Sequence, residues 1–292
     1  LVVVLPMRGR VTVRDRGTLV HGHEVQRRMY ATHWGLRESP FRGPANPRYF
    51  YNSPTHDEAL ARLQFLVENH YRLGLLLGMP GNGKTLLLEV FAGQLRRAGS
   101  QVAIVNLLSL GTREFLWELA TQLHRNPRRE DTPFDLWRAV VDRLVENRYQ
   151  QIPTVLLLDD ADDMSPEVAA QVIRLLRHDP ASRSYLTVVL AADPRRMKRL
   201  GRRILECCEL RIELESWEAD DTCQYLHQCL AAAGTERAVF NNAAALRLHE
   251  LAQGVPRHIN YLAELALVAG AGQQLSQIDK STVDAVYEEL RP

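Results

Sequence analysis

The sequence predicts an α/β protein built on a parallel sheet, followed by a smaller all-helical unit. Three observations carry that reading. Continuous apolar runs of five to seven residues alternate with helically spaced stretches up to about residue 215. Capping residues sit at the starts of several of those stretches. After Ser216 the strand-like runs stop, and only helical spacing remains.

In chain order, Ser53 is an N-cap with Pro54 at the first helical position, and Asp57 and Glu58 follow. The helix runs to about Asn69, with Leu60, Leu63, Leu66 and Val67 on one face. Arg72–Leu77 is a strand, Lys84–Arg97 a helix and Val102–Asn106 a strand. Two helices are expected near 112–124 and 134–149, on either side of the polar loop Arg125–Pro133. Thr154–Asp159 is the next strand, and Ser165 and Pro166 then open a helix that reaches about His178. Leu186–Ala192 and Leu210–Leu214 are the last strands. Helices near 218–233, 239–252, 256–270 and 279–290 complete the chain.

This organisation divides the 292 residues into 1–29, 30–215 and 216–292. Residues 30–53 hold aromatics, Pro and Arg with no clear period, and are grouped with the α/β domain. Residues 1–29 carry six arginines against Asp15 and Glu24, and Met29 resembles a start, so they are expected to be a non-native or disordered extension. No apolar run approaches the roughly 20 residues of a spanning helix. The net charge of +1 gives no bulk attraction to nucleic acid or membrane. Of the 36 basic residues only Lys84, Lys198 and Lys280 are lysines. Cys207, Cys208, Cys223 and Cys229 lack zinc-ligand spacing and read as reduced, buried thiols of a cytoplasmic protein.

The chemistry concentrates in two places. Gly78–Thr85 reads GMPGNGKT and matches G-x-x-x-x-G-K-[ST], after a buried strand and before a helix. Glycines at such spacing let backbone N–H groups turn inward around phosphate oxygens, and a helix N-terminus adds partial positive charge. Gly78, Pro80, Gly81, Asn82, Gly83, Lys84, Thr85 and Leu86 form this candidate phosphate site, with Lys84 as the phosphate cation and Thr85 as a Mg²⁺ ligand. Val155–Asp160 reads VLLLDD. Its first acid, Asp159, is placed to hold Mg²⁺, and Asp160 to orient or deprotonate an attacking water. Asp162 and Asp163 read as a surface pair solvating the next loop.

With both motifs in hand, the chain resembles the AAA+ ATPases, and within them the ExeA type (general secretion pathway protein A). The likeness spans about residues 29–290. His33–Phe41 (HWGLRESPF) is similar to that family's "FGL…PF" box. Pro47–Tyr51 (PRYFY) with Ser53–Leu60 (SPTHDEAL) is similar to its "PRFLY…SPSHREAL" stretch, and Gly254–Asn260 (GVPRHIN) to its "GxPRxIN" lid box. The resemblance implies a five-stranded sheet in the order 5-1-4-3-2, a helical lid, and a homo-oligomeric ring with ATP between neighbours. It implies that Arg257 touches the γ-phosphate from its own subunit. It implies that Arg203, or failing it Arg202, reaches a neighbour's ATP as an arginine finger. It puts Asp193 at the polar sensor after the fourth strand, and Tyr49–Tyr51 near the adenine.

Two departures bear on function. The family's second acid is normally Glu. Asp160 is one methylene shorter, which moves the carboxylate by about 1.5 Å and favours slow hydrolysis. The chain also stops at Pro292, after the lid, where ExeA-type proteins often continue into a membrane helix and a periplasmic domain. Three functions therefore stay open: an ATPase of a secretion or envelope assembly with a protein partner, a DNA-associated AAA+ ATPase, or a nucleotide-controlled scaffold. In the DNA reading, His124–Arg129 and the basic cluster Arg195, Arg196, Lys198, Arg199, Arg202 and Arg203 would meet the nucleic acid.

Overall fold

The computed structural model describes residues 30–41, 50–178 and 184–291. The expectation for residues 1–29 and the Tyr49 part of the adenine expectation lie outside them. The described residues form two compact units: Asn52–Glu215 is one, and residues 30–41, 50 and 51 join Ser216 onward in the other.

The first unit runs α1 (Pro54–Glu68), β1 (Leu73–Gly78), α2 (Lys84–Arg97), β2 (Gln101–Asn106), α3 (Thr112–Gln122), α4 (Pro133–Tyr149), β3 (Thr154–Asp159), α5 (Pro166–Leu176), β4 (Leu186–Ala192), α6 (Arg202–Glu206) and β5 (Leu210–Leu214). All pairings are parallel, and the order is β2-β3-β4-β1-β5. This is the sheet that the resemblance implied. Every residue of β1, β3 and β4 is buried, as a sheet covered on both faces requires. Ser53 Oγ accepts from the His56 N–H, and Thr132 with Asp135 forms a full capping box on α4.

Two short 3₁₀ segments, Ala161–Asp163 and Pro194–Leu200, and the five-residue α6 have no counterpart in the sequence reading. They are too short to show a period. On α1 the buried face is His56, Ala59, Leu63, Leu66 and Val67, so Leu60 gives its expected place to Ala59 and His56. Of the four thiols only Cys229 is fully buried; the other three are half-buried.

The second unit contains α7 (Ala219–Ala232), α8 (Asn242–Ala252), α9 (Pro256–Gly272) and α10 (Lys280–Leu290), with residues 30–34 also helical. Here the structure departs from the expected division at residue 215 alone. Tyr30, Trp34, Leu36, Phe41 and Tyr51 are buried in the same apolar core as Leu226, Leu248, Ile259 and Leu267. Trp34 Nε1 donates to Leu267 O at 2.9 Å. Tyr30 and Ser39 hydroxyls donate to the two oxygens of the buried Glu264, at 2.9 and 2.8 Å. Aromatic side chains with tertiary partners hold this segment, which explains why it shows no local period.

Candidate functional site

The phosphate loop leaves β1 at Gly78 and enters α2 at Lys84. Gly81 and Gly83 have φ of 96° and 91°, a region that suits residues without Cβ. Gly78 is constrained differently: a Cβ there would lie 3.2 Å from both the Cβ and the carbonyl oxygen of Leu214. Asn82 is buried, and its Nδ2 donates to Leu214 O at 3.0 Å, so the loop is fastened to the end of β5. Gly83 supplies no side-chain cap to α2, which leaves the first-turn N–H groups of a 14-residue helix for an anion.

Lys84 Nζ donates to Gly78 O at 2.6 Å and lies 3.4 Å from Met79 O, folded back over the loop. Burial lowers its pKa, against the opposing pull of Asp159, Asp162, Asp160 and Asp193. A half-desolvated ammonium amid carboxylates and carbonyls suits a strongly anionic ligand.

Thr85 Oγ1 donates to Asp159 Oδ2 at 2.5 Å, joining the first turn of α2 to the last residue of β3. Asp159 is 2% exposed, and its other oxygen accepts the Asp160 N–H at 3.0 Å. Burial raises its pKa, with the Thr85 hydrogen bond working the other way. Two hard oxygens, one of them from a buried carboxylate, fit a divalent cation such as Mg²⁺. No group of three or more His, Cys, Asp or Glu suited to a metal occurs among the described residues, so phosphate and water would have to complete the shell.

Asp160 sits at φ 49°, ψ 41°, which turns its side chain away from the strand direction. Its Oδ2 accepts from Asn106 Nδ2 at 2.8 Å, and Asn106 Oδ1 accepts the Leu108 N–H at 2.9 Å. Asn106 ends β2, in register with Asp159 on β3. Sequence reasoning missed it, and only the strand order makes the two positions adjacent. His56 was also missed: its Nδ1 shares a 2.7 Å hydrogen bond with Ser53 Oγ, and its Nε2 lies 3.2 Å from where a Gly83 Cβ would be.

The acidic pair after Asp160 is not a solvated surface cluster. Asp162 is buried; it accepts the Asp193 N–H at 3.1 Å and pairs with Arg196 at 3.1 Å. Arg196 also grips Asp163, and Arg199 reaches Asp163 at 3.4 Å. These contacts hold the Asp163 carboxyl below its ordinary range, chiefly through the Arg196 hydrogen bond. Asp193 is buried at the end of β4 and is gripped by Arg195, at 2.7 Å to Nη2, which lowers its pKa in the same way. Arg202 pairs with Glu206 at 2.6 Å. The basic cluster is therefore largely neutralised from within. Arg203 is exposed and has no ion-pair partner among the described residues.

In the helical unit, the GVPRHIN box divides its labour. Gly254 has φ 68°, and a Cβ there would come within 2.2 Å of Trp217 O. Ile259 is buried, and Asn260 Oδ1 accepts from the Tyr225 hydroxyl at 2.6 Å. Arg257 alone in the box is an exposed cation with no structural partner among the described residues. Tyr51, from the expected adenine region, is buried edge-on against Trp217 with ring centroids 5.4 Å apart.

Residues 67–200 match the AAA domain family. The chain is 30% identical over 269 residues to General secretion pathway protein A of Aeromonas hydrophila, covering 89% of this chain and 48% of that protein. It thus spans about half the length of that relative. Among solved structures it is similar to Cdc6p from Pyrobaculum aerophilum (TM-score 0.62, 18% identity, 83% of this chain and 70% of that one). It is similar to a chain of Drosophila ORC bound to DNA (0.66, 16%, 99% and 71%). It is also similar to the Thermotoga maritima RuvB Holliday junction branch migration motor (0.57, 16%, 80% and 69%). These structural likenesses bear on the fold alone. No described helix is long and apolar enough to cross a membrane. Taken with the phosphate loop, the strand order and the helical unit, these findings give the chain the fold of the AAA+ P-loop NTPases, with a match to the AAA domain family over residues 67–200 and a likeness to General secretion pathway protein A.

Proposed function

We propose that the chain binds Mg²⁺-ATP at Gly78–Leu86 and hydrolyses it slowly, coupling the cycle to a conformational change in an oligomeric assembly. The observation that carries this reading is the Thr85–Asp159–Asp160–Asn106 chain of hydrogen bonds beside the phosphate loop. Main-chain N–H groups of the loop and of the first turn of α2 receive the phosphates, and Lys84 swings from Gly78 O to them. Thr85 and Asp159 would hold a Mg²⁺ ion, whose chemistry there would be to neutralise charge on the phosphate oxygens. Asp160 takes the proton of the attacking water. Its bond to Asn106 keeps a short carboxylate at a fixed angle, and that constraint, with the missing methylene, supports a low turnover. Arg203 serves a neighbouring subunit and Arg257 its own. Both are permanently charged, exposed groups, and neither has an ion-pair partner among the described residues.

The secretion or envelope role rests on the likeness to one relative of about twice this length. The DNA-associated alternative is supported less well by the basic cluster, because Arg195, Arg196, Arg199 and Arg202 pair with carboxylates of the same chain, although three of these arginines stay exposed. The scaffold alternative differs only in turnover. One experiment separates them: ATP binding by calorimetry and phosphate release with and without duplex DNA, for the wild type and Lys84→Ala. Binding lost in Lys84→Ala, with measurable DNA-independent turnover in the wild type, is expected. Unchanged nucleotide affinity in Lys84→Ala would sink the site. DNA stimulation would favour the second reading, and binding without turnover the third.

A further inference from the structure

We propose that the flank of α4 facing α5 is a docking site for an acidic, amphipathic segment of a protein partner. Phe134, Val145 and Tyr149, all on α4, are 64%, 54% and 91% exposed. With half-buried Val141 they fall at i, i+7, i+11 and i+15, which aligns them on one face of the helix. Large apolar side chains scattered singly need no explanation, but a stripe along one helix does.

The stripe borders a concave surface. An open cleft of about 490 Å³ lies between α4 and α5, walled by Trp137, Ile173, Arg174, Arg177 and His178. His178 also walls a smaller hollow of about 40 Å³, floored by Leu144 and Leu186 and edged by Val145. The Val145–Tyr149 end of this surface lies beside the start of β3, where Asn147 Nδ2 donates to Thr154 Oγ1 at 2.9 Å. None of the residues that line the two hollows belongs to the phosphate loop or to the Thr85, Asp159 and Asp160 cluster.

Charge complementarity selects the occupant. Arg174 and Arg177 have no carboxylate partner among the described residues, and both are exposed. An apolar stripe flanked by exposed guanidinium groups that have no carboxylate partner among the described residues matches a helix with one apolar face and acidic residues beside it. Nucleic acid fits less well. The Trp137 ring carries the Arg174 guanidinium over its face at 3.7 Å and meets His178 edge-on, so it offers no free platform on which a base could stack.

The test is fluorescence anisotropy with four labelled probes: a Leu/Glu amphipathic helical peptide, its Leu/Lys counterpart, the acidic peptide with Leu replaced by Ser, and a 20-nucleotide single strand. The acidic amphipathic peptide should bind saturably and lose affinity with salt. Arg174→Glu with Arg177→Glu, and separately Val145→Ser with Tyr149→Ser, should each weaken it at least tenfold while the thermal melt by circular dichroism stays within a few degrees of wild type. Lys84→Ala should not change it. Four outcomes overturn the proposal: no binding of the acidic peptide, equal binding of the basic peptide, binding that survives both double variants, or oligonucleotide binding lost in those variants. Self-association in sedimentation, abolished by Val145→Ser with Tyr149→Ser, would replace the partner protein with a second copy of this chain.

Discussion

Asp159→Asn should stabilise the nucleotide-free protein at neutral pH and weaken it when Mg²⁺-ATP is present. Asp159 is 2% exposed, and burial raises its pKa. A carboxyl with a raised folded-state pKa binds more protons folded than unfolded. Its contribution to stability therefore falls as pH climbs from the ordinary value of 3.8 to the folded value, and is flat above that. An amide carries no such penalty. It also keeps both hydrogen bonds: Asn Oδ1 accepts the Asp160 N–H, and the Thr85 hydroxyl rotates to accept from Nδ2. What is lost is the extra strength of two bonds to a charged acceptor and a weak attraction to Lys84. What is gained is release from desolvating a carboxylate, an effect worth several kcal/mol before hydrogen bonding offsets it. The net gain should be about 1–3 kcal/mol at pH 8. Urea unfolding in EDTA at pH 8 measures it, and the difference between the two proteins should shrink as pH approaches 4. At saturating Mg²⁺-ATP the order should invert, because a ligand at 100 times its Kd adds about 2.7 kcal/mol to the form that binds it. A variant less stable than wild type in EDTA at pH 8 would refute the reasoning. It would mean that the carboxylate is better satisfied without metal than its burial implies.

Asp160→Asn should retain ATP with near wild-type affinity while turnover falls about 100-fold or more, and single-turnover hydrolysis measures this. Wild-type turnover in that variant would move the proton acceptor elsewhere, and Asp162 is a poor substitute because Arg196 and the Asp193 N–H already occupy it. Arg203→Ala should bind ATP normally and lose activity, by up to about 10³-fold; mixing it with Lys84→Ala should restore some. No recovery, with a wild-type rate independent of concentration, would count against action in trans. Gly254→Ala should destabilise the helical unit by about 2–4 kcal/mol, because a left-handed Ala is strained and its Cβ would break the Trp217 N–H to Gly254 O bond. A melt unchanged from wild type would exclude that reading of the turn.

What the sequence made legible was what it stores locally. The phosphate loop is eight consecutive residues, and Asp159 follows a run of apolar strand residues, so chemistry and position are read together. The strand runs were legible because both faces of the sheet are covered, which removes polar alternation from β1, β3 and β4. The parts that escaped depend on neighbours distant in sequence. Asn106 matters only because β2 lies beside β3, 54 positions from Asp160. Arg196 and Arg199 looked like a free basic surface because their carboxylate partners at 162 and 163 lie more than 30 residues away, after the end of β3. Residues 30–41 gave no period because a few large aromatics, and not a repeating face, anchor them to helices distant in sequence, as Tyr30 is bonded to Glu264 and Trp34 to Leu267.

That last attachment constrains how the chain comes together during synthesis. The helical unit draws on both ends of the described chain, so its core stays incomplete until α10 has been made. The α/β unit, by contrast, is one uninterrupted stretch, complete once β5 emerges. Trp34, Phe41 and Tyr51 are therefore made first and buried last. For that interval the nascent chain carries an apolar segment without its partners, ahead of a unit already able to fold. A fragment meant to isolate the phosphate loop should accordingly begin at Asn52, since one that begins at Tyr30 brings those aromatics along with nothing to cover them.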